Sequence, residues 1–186
     1  MKASLGKSVD ANLMIELNNY VQEGGFPKAM QYDDFADKRT YVRSVIDEIF
    51  EKDIKRRVKV RNVETFSNVR NFVINNFGAT ISVKSLQAAL AKNGVEVKRE
   101  TLARYIEVLV ESKVLYRCDR FDMKSKRALS GEKKYYLADV SFYFATNTDN
   151  RINYGPALEN IVFIDAKRLN YAVRVGRIGQ LEGDFI

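Results

Sequence analysis

Two runs of basic side chains are dense enough to hold phosphates. Residues 117 to 134 carry Arg117, Arg120, Lys124, Lys126, Arg127, Lys133 and Lys134 against Asp119, Asp122 and Glu132, seven against three, a net +4. Residues 50 to 61 carry Lys52, Lys55, Arg56, Arg57, Lys59 and Arg61 against Glu51 and Asp53, again a net +4. Ammonium and guanidinium groups displace the counterions of nucleic-acid phosphates. The net charge of +7 favours an acidic partner in the same way. The run at 50 to 61 also has a plainer reading, a solvated helix end whose cations suit the helix dipole. A third set, Lys98, Arg99 and Arg104, could reach phosphates or guanine edges. Glu100 and Glu107 stand among them, and Glu100 with Arg104 has the i, i+4 spacing of a helix-surface ion pair.

Residue types exclude much other chemistry. The chain has no histidine, which removes Ser-His-Asp and Cys-His catalysis and imidazole acid–base work. A lone cysteine, Cys118, leaves too few ligands for a structural zinc and fits a reducing compartment. No apolar run reaches the roughly 18 residues of a membrane span, and the N-terminus lacks a signal-peptide core. A cytoplasmic protein with no membrane partner is expected. The Gly6-Lys7-Ser8 triplet lacks the upstream glycine of a phosphate loop.

The basic residues need elements to hold them. Ser82 is placed to cap a helix carrying Leu86, Ala89 and Leu90 at helical spacing, and Asn93-Gly94 ends it. Lys98 to Ser112 predicts a second helix, with Leu102, Tyr105, Ile106, Leu109 and Val110 along one face. Val114 to Phe121 reads as a strand and Lys133 to Leu137 as its partner, with residues 122 to 132 as the loop between them. A helix over 63 to 77, with Val63, Phe66, Val69, Phe72 and Val73, precedes the pair. Two helices joined by a short turn and followed by a hairpin form a winged helix-turn-helix, a DNA-binding class.

Upstream, a helix capped by Asp10 runs through Leu13, Met14, Leu17 and Tyr20 to Gly24-Gly25. Pro27 can open another. A long helix from Asp33 or Asp34 turns Tyr41, Val45, Ile49 and Phe50 inward. Downstream come a connector at 138 to 154, a helix from Pro156 with Leu158, Ile161, Val162 and Leu169, a strand at Tyr171 to Val175, a turn at Gly176 to Gly179, and a strand from Leu181. The predicted fold class is α+β, mainly α. It comprises a helical N-terminal segment (1 to 62), a winged helix-turn-helix (63 to 145) and a truncated αββ C-terminal piece (150 to 186).

Six motifs in order, GGFP at 24 to 27, FEKDIKRR at 50 to 57, TLARYIEVLVES at 101 to 112, KYYLAD at 134 to 139, ALEN at 157 to 160 and EGDF at 182 to 185, resemble a group of prokaryotic AAA-type ATPases. The resemblance covers nearly the whole chain. It implies an ATPase core, then a winged helix, then a domain of unknown function related to restriction-endonuclease-like folds. The ATPase core requires a Gly-rich phosphate loop, which this chain lacks, so ATP and Mg²⁺ are expected only in a full-length parent. In the nuclease-like part, the resemblance implies that Glu159 corresponds to the helix glutamate and Asp184 to the strand aspartate, with Glu182 two residues before it. Such carboxylates hold Mg²⁺ while a lysine on the next strand polarises the phosphate. That lysine-bearing element has no counterpart here, so no catalysis is expected of this chain.

The leading expectation is a non-catalytic winged-helix segment of a prokaryotic AAA-type ATPase that binds double-stranded DNA through phosphates. Its contacts would be Lys98, Arg99, Arg104, Lys124, Lys126, Arg127 and Lys133. One alternative is a protein-interaction module joining the ATPase core to the C-terminal domain, with a homo-oligomer as a candidate assembly. The other is a remnant Mg²⁺-dependent nuclease built on Glu159, Glu182 and Asp184.

Overall fold

The computed structural model describes residues 11–57, 60, 62–147, 151–178, 181–183 and 185–186. The Gly6-Lys7-Ser8 triplet, the expected cap Asp10, Lys59, Arg61 and Asp184 lie outside the described residues. The fold is α+β and mainly α. Helix α1 (Ala11–Glu23) stops where Gly24 turns the chain at φ +75°. This left-handed φ suits glycine, and a Cβ there would meet Asp139 Oδ1 at 1.9 Å. A single 3-10 turn (Ala29–Gln31) follows Pro27 instead of a full helix. Helix α2 (Phe35–Ile49) starts at Asp34, whose carboxylate accepts from the N–H groups of Ala36 at 2.7 Å and Asp37 at 3.2 Å. That satisfies two of the donors a helix start leaves open. Val42 and Ile46 are the deepest residues of α2, with Tyr41, Val45 and Ile49 half-buried, so the inward stripe is rotated from the expected one. A π turn (Phe50–Ile54) buries both of its end residues and passes into the short α3 (Lys55–Arg57).

Helix α4 (Val63–Asn75) is capped by Asn62, which accepts from the Thr65 N–H at 2.9 Å. Then come β1 (Thr80–Ser82), α5 (Val83–Lys92), α6 (Arg99–Glu111), β2 (Leu115–Asp122) and β3 (Arg127–Leu137). Ser82 caps α5 as expected. It accepts from the Ser85 N–H at 2.9 Å while Ser85 Oγ accepts from the Ser82 N–H at 3.0 Å, a reciprocal capping box. Gly94, at φ +75°, ends the turn after α5. β1 pairs antiparallel with β3, and β3 antiparallel with β2. Helix, strand, two helices and a hairpin, with the first strand beside the last, is the winged-helix arrangement. Three residues are too short a run for β1 to show a period in the sequence.

Helices α7 (Ser141–Thr146) and α8 (Tyr154–Arg168) and strands β4 (Val175–Ile178) and β5 (Leu181–Gly183) complete the chain. The sheet order is β1-β3-β2-β4-β5, antiparallel except for the parallel β2–β4 pair. Alternation along the strands sends Ile81, Leu115, Tyr135 and Leu137 into a core with Phe66, Leu86, Leu102 and Ile106. It sends Cys118, Tyr136 and Val175 to the opposite face, against Phe163 of α8. The larger core also takes in Val21, Val42, Ile46, Phe142 and Ala157, so it is continuous from the N-terminal helices to the start of α8.

Two expectations downstream, the connector and the first strand, are corrected, and the inward face of α8 is now set. The connector holds a helix, α7, whose Phe142, Phe144 and Ala145 are buried. Helix α8 turns Ala157, Asn160 and Phe163 inward and leaves Leu158, Val162 and Leu169 exposed. The strand expected at 171 to 175 lies at Val175–Ile178. Gly176 sits within it and not in a turn, paired with Phe121 and Gly183; a Cβ there would meet Ile186 Cγ2 at 2.9 Å, and glycine in a strand marks such a close approach.

Candidate nucleic-acid interface

The helix-turn-helix presents its basic residues at the start of α6. Gln87 Nε2 donates to the Val97 carbonyl at 2.8 Å, and Gln87 Oε1 accepts from Arg99 Nε at 2.9 Å. One side chain of α5 thus fixes the turn and aims Arg99. Lys98 is the N-cap residue, with no side-chain cap bond, and Lys98 and Arg99 are exposed. An open groove of about 700 Å³ runs beneath them, lined among others by Lys84, Gln87, Ala88 and Val97. The expected Glu100–Arg104 pair is replaced: Arg104 Nη1 lies 3.2 Å from Glu111 Oε1. Glu107 holds Arg117 of β2 at 3.0 Å. Two of the three acidic residues of α6, Glu107 and Glu111, are thus engaged by arginines, whereas Glu100, beside Arg99, is exposed and forms no ion pair among the described residues.

The wing is a longer and tighter hairpin than expected. β3 begins at Arg127, and only residues 123 to 126 turn. The Asp122 carboxylate closes that turn, and its hydrogen bonds from the Ser125 hydroxyl and then the Lys124 N–H hold its pKa below the usual range. The register slips between Asp119, which faces Lys133, and Arg120, which faces Leu129. Such a bulge re-aims side chains and sharpens the local twist; Gly131 takes φ +97° within it.

This geometry divides the wing's cations into two groups. At the base, Arg117 meets Glu107, Lys133 meets Asp119 at 2.8 Å, Arg120 meets Glu132 at 2.7 Å, and Lys134 meets Glu159 at 2.9 Å. The bond from Lys133, more than any other effect, lowers the Asp119 pKa. At the tip, Lys124, Lys126 and Arg127 are exposed and form no ion pair among the described residues. In the run at 50 to 57, Lys52 pairs with Glu48 and Lys55 with Glu51 at 3.0 Å, both at i, i+4, while Arg56 is exposed and forms no ion pair among the described residues.

Glu159 sits in a buried polar joint. Its Oε1 accepts from Lys134 Nζ at 2.9 Å and from the Tyr136 hydroxyl at 2.5 Å. The side chains of Lys134 and Glu159 are only 8% and 16% exposed. Next along α8, Asn160 accepts from the Leu137 N–H at 2.7 Å and donates to its carbonyl at 3.0 Å. Asp139 closes the set, accepting from the N–H groups of Gly25 at 2.8 Å and Ser141 at 2.9 Å. The GGFP, KYYLAD and ALEN motifs thus meet at one strand end. Glu182 lies on β5. Among the described residues, no group of three or more Cys, Asp or Glu could hold a metal.

Sequence reasoning missed these joints because partners 23 to 114 residues apart share no local period. It also missed Arg174, whose guanidinium lies over the Phe121 ring, 5.4 Å from its centroid.

The helices and hairpin of residues 63 to 137 thus carry an exposed basic tip on a sheet that β4 and β5 extend. The chain belongs to the family of a domain of unknown function, DUF8612, whose model matches residues 14–151. It is similar to an uncharacterized protein of Haemophilus influenzae, 28% identical over 169 residues, covering 91% of this chain and 42% of that protein. It is also similar to the uncharacterized protein MJ1544 of Methanocaldococcus jannaschii, 29% identical over 161 residues, covering 87% of this chain and 36% of that protein. The chain thus spans about two-fifths of the length of these relatives. No solved structure matches it. Among the described residues, no helix is long and apolar enough to cross a membrane.

Proposed function

We propose that the chain binds double-stranded DNA through its phosphates and performs no catalysis itself. The observation that carries this reading is the partition of charge on the wing. Every cation at the base has an acidic partner, whereas Lys124, Lys126 and Arg127 at the tip have none among the described residues. Phosphate contacts of this kind position a protein on DNA without reading sequence. Lys98 and Arg99, at the uncapped start of α6, are the second contact; Arg104 and Lys133 are held by Glu111 and Asp119 and contribute less. Binding is largely non-specific and salt-dependent.

The resemblance to prokaryotic AAA-type ATPases supports reading the chain as the winged-helix segment of such a protein. ATP hydrolysis then belongs to sequence that carries a phosphate loop. Fluorescence anisotropy with a labelled duplex tests the DNA reading. The wild type binds at low salt, and K124E/K126E/R127E loses most of that affinity. Equal binding by both would refute it.

A second reading, a protein-interaction module, has its own support. α1 exposes Leu13, Met14 and Leu17, and α8 exposes Leu158 and Val162. Scattered apolar surface is ordinary, but grouped residues on one helix suit a partner. Light scattering tests this reading, and a strict monomer at high concentration argues against the homo-oligomer.

A further inference from the structure

We propose that the C-terminal hairpin is part of the DNA-contacting surface, with Arg174 supplying a phosphate contact that the wing lacks. This inference rests on the DNA reading above and adds a residue and an element to it. In the described fold the outer edge of the wing is not free. β4 pairs with β2 at Arg120↔Val175, Phe121↔Gly176 and Asp122↔Arg177, and the Met123 N–H donates to the Arg177 carbonyl at 2.9 Å. The wing and the C-terminal hairpin are therefore one sheet, and what faces DNA on one faces it on the other.

Arg174 stands just before β4 and is anchored by its backbone, which exchanges hydrogen bonds with Ile186 at 3.1 and 2.9 Å. Its side chain lies on the face of the sheet that carries Phe121 and Asp119, the face that also turns Arg117 toward α6. A guanidinium laid against an aromatic ring keeps its N–H edge free for a phosphate. Arg174 is exposed and forms no ion pair among the described residues. Asp119, whose pKa it helps to lower, is already held by Lys133 at 2.8 Å. Arg174 stands level with Asp119, four strand residues back from the tip turn. That is about 13 Å at 3.3 Å per residue, or roughly four base-pair steps of rise along the duplex axis. Pre-positioning on Phe121 limits the entropy lost when the contact forms.

Anisotropy titrations of the full chain against a short labelled duplex, across a salt series, test this. R174E is expected to bind about tenfold more weakly at low salt, with its log–log salt slope shallower by about 0.9, the value of one lost phosphate contact. R174K keeps the charge without the stacked fork, so it keeps the wild-type salt slope and loses less affinity than R174E. R174Q, which removes the charge without reversing it, follows R174E and serves if charge reversal disturbs folding; near-UV circular dichroism checks each variant. If R174E and R174Q match wild type while the tip variant K124E/K126E/R127E binds weakly, the inference fails and the DNA reading stands. Equal loss in R174K and R174E would mean a packing role for the stacked arginine, and would also overturn the inference. No binding by the wild type at low salt would overturn both.

Discussion

At the scale of single residues, Glu159 shows how a side chain suited to metal chemistry can be engaged otherwise. Its carboxylate meets Lys134 and Tyr136 where α8 crosses the sheet. Removing one partner of a buried pair leaves the other charge uncompensated and costs about 3–5 kcal/mol. Glu159→Ala is therefore expected to lower stability by that order in urea melts, and Lys134→Met with Glu159→Leu to recover much of it. A double variant as unstable as the single one would argue against the pair as the cause. Burial, opposed by a hydrogen bond from the Val175 backbone, raises the Cys118 thiol to about 11. Burial, opposed by Arg117, raises the Tyr135 hydroxyl to about 12. Both groups favour their protonated forms in the fold more than in the unfolded chain. Their contribution is complete below about pH 8.5 and is lost as pH rises through those values. The melting temperature should thus fall between about pH 9 and 12, and Cys118→Ala should soften the lower part of that fall. At neutral pH the same thiol should resist alkylation until the protein unfolds.

At the scale of elements, short-range signals are legible in the sequence and long-range ones are not. Ser82, Asn93-Gly94 and the stripe Leu102, Tyr105, Ile106 and Leu109 specify α5 and α6 within a few residues, because caps and helical periods are local. β1 and α7 were invisible: three residues cannot show a period, and Ser141–Thr146 is buried nearly all round. The inward face of α8 is not legible from its apolar residues, because Asn160, a polar residue, is buried at 1% exposure while Val162 is open. Asn160 is inside because it satisfies both backbone groups of Leu137. Asn160→Ala should therefore cost more than a surface substitution, about 1–3 kcal/mol for each polar group left unpaired. A loss within about 0.5 kcal/mol, the range of neutral surface changes, would contradict that role. Phe163, stacked on Tyr136 at 4.3 Å between centroids, anchors the same helix, and Phe163→Ala should cost about 3–5 kcal/mol. The wing's charge was legible as a sum, but not its division into paired base and open tip, which depends on the hairpin register and on acids from α6 and α8.

For the whole molecule, the order of motifs acquires a physical meaning. GGFP, KYYLAD and ALEN meet through Asp139, Glu159 and Asn160, tying the N-terminal helices, the sheet and α8 together. Gly24→Ala tests that assembly, since a Cβ would collide with Asp139 and force a non-glycine φ of +75°. The expected outcome is a destabilised chain with hydrogen exchange raised at both α1 and α7. The surface this assembly holds out is a wing tip whose cations have no acidic partner among the described residues, proposed to meet DNA phosphates. The most direct test of that proposal is the dependence of duplex affinity on salt, measured for wild type and for K124E/K126E/R127E. Loss of three phosphate contacts should make the log–log slope shallower by about 2.7, with the fold intact by circular dichroism. An unchanged slope in the variant, at any affinity, would contradict the account.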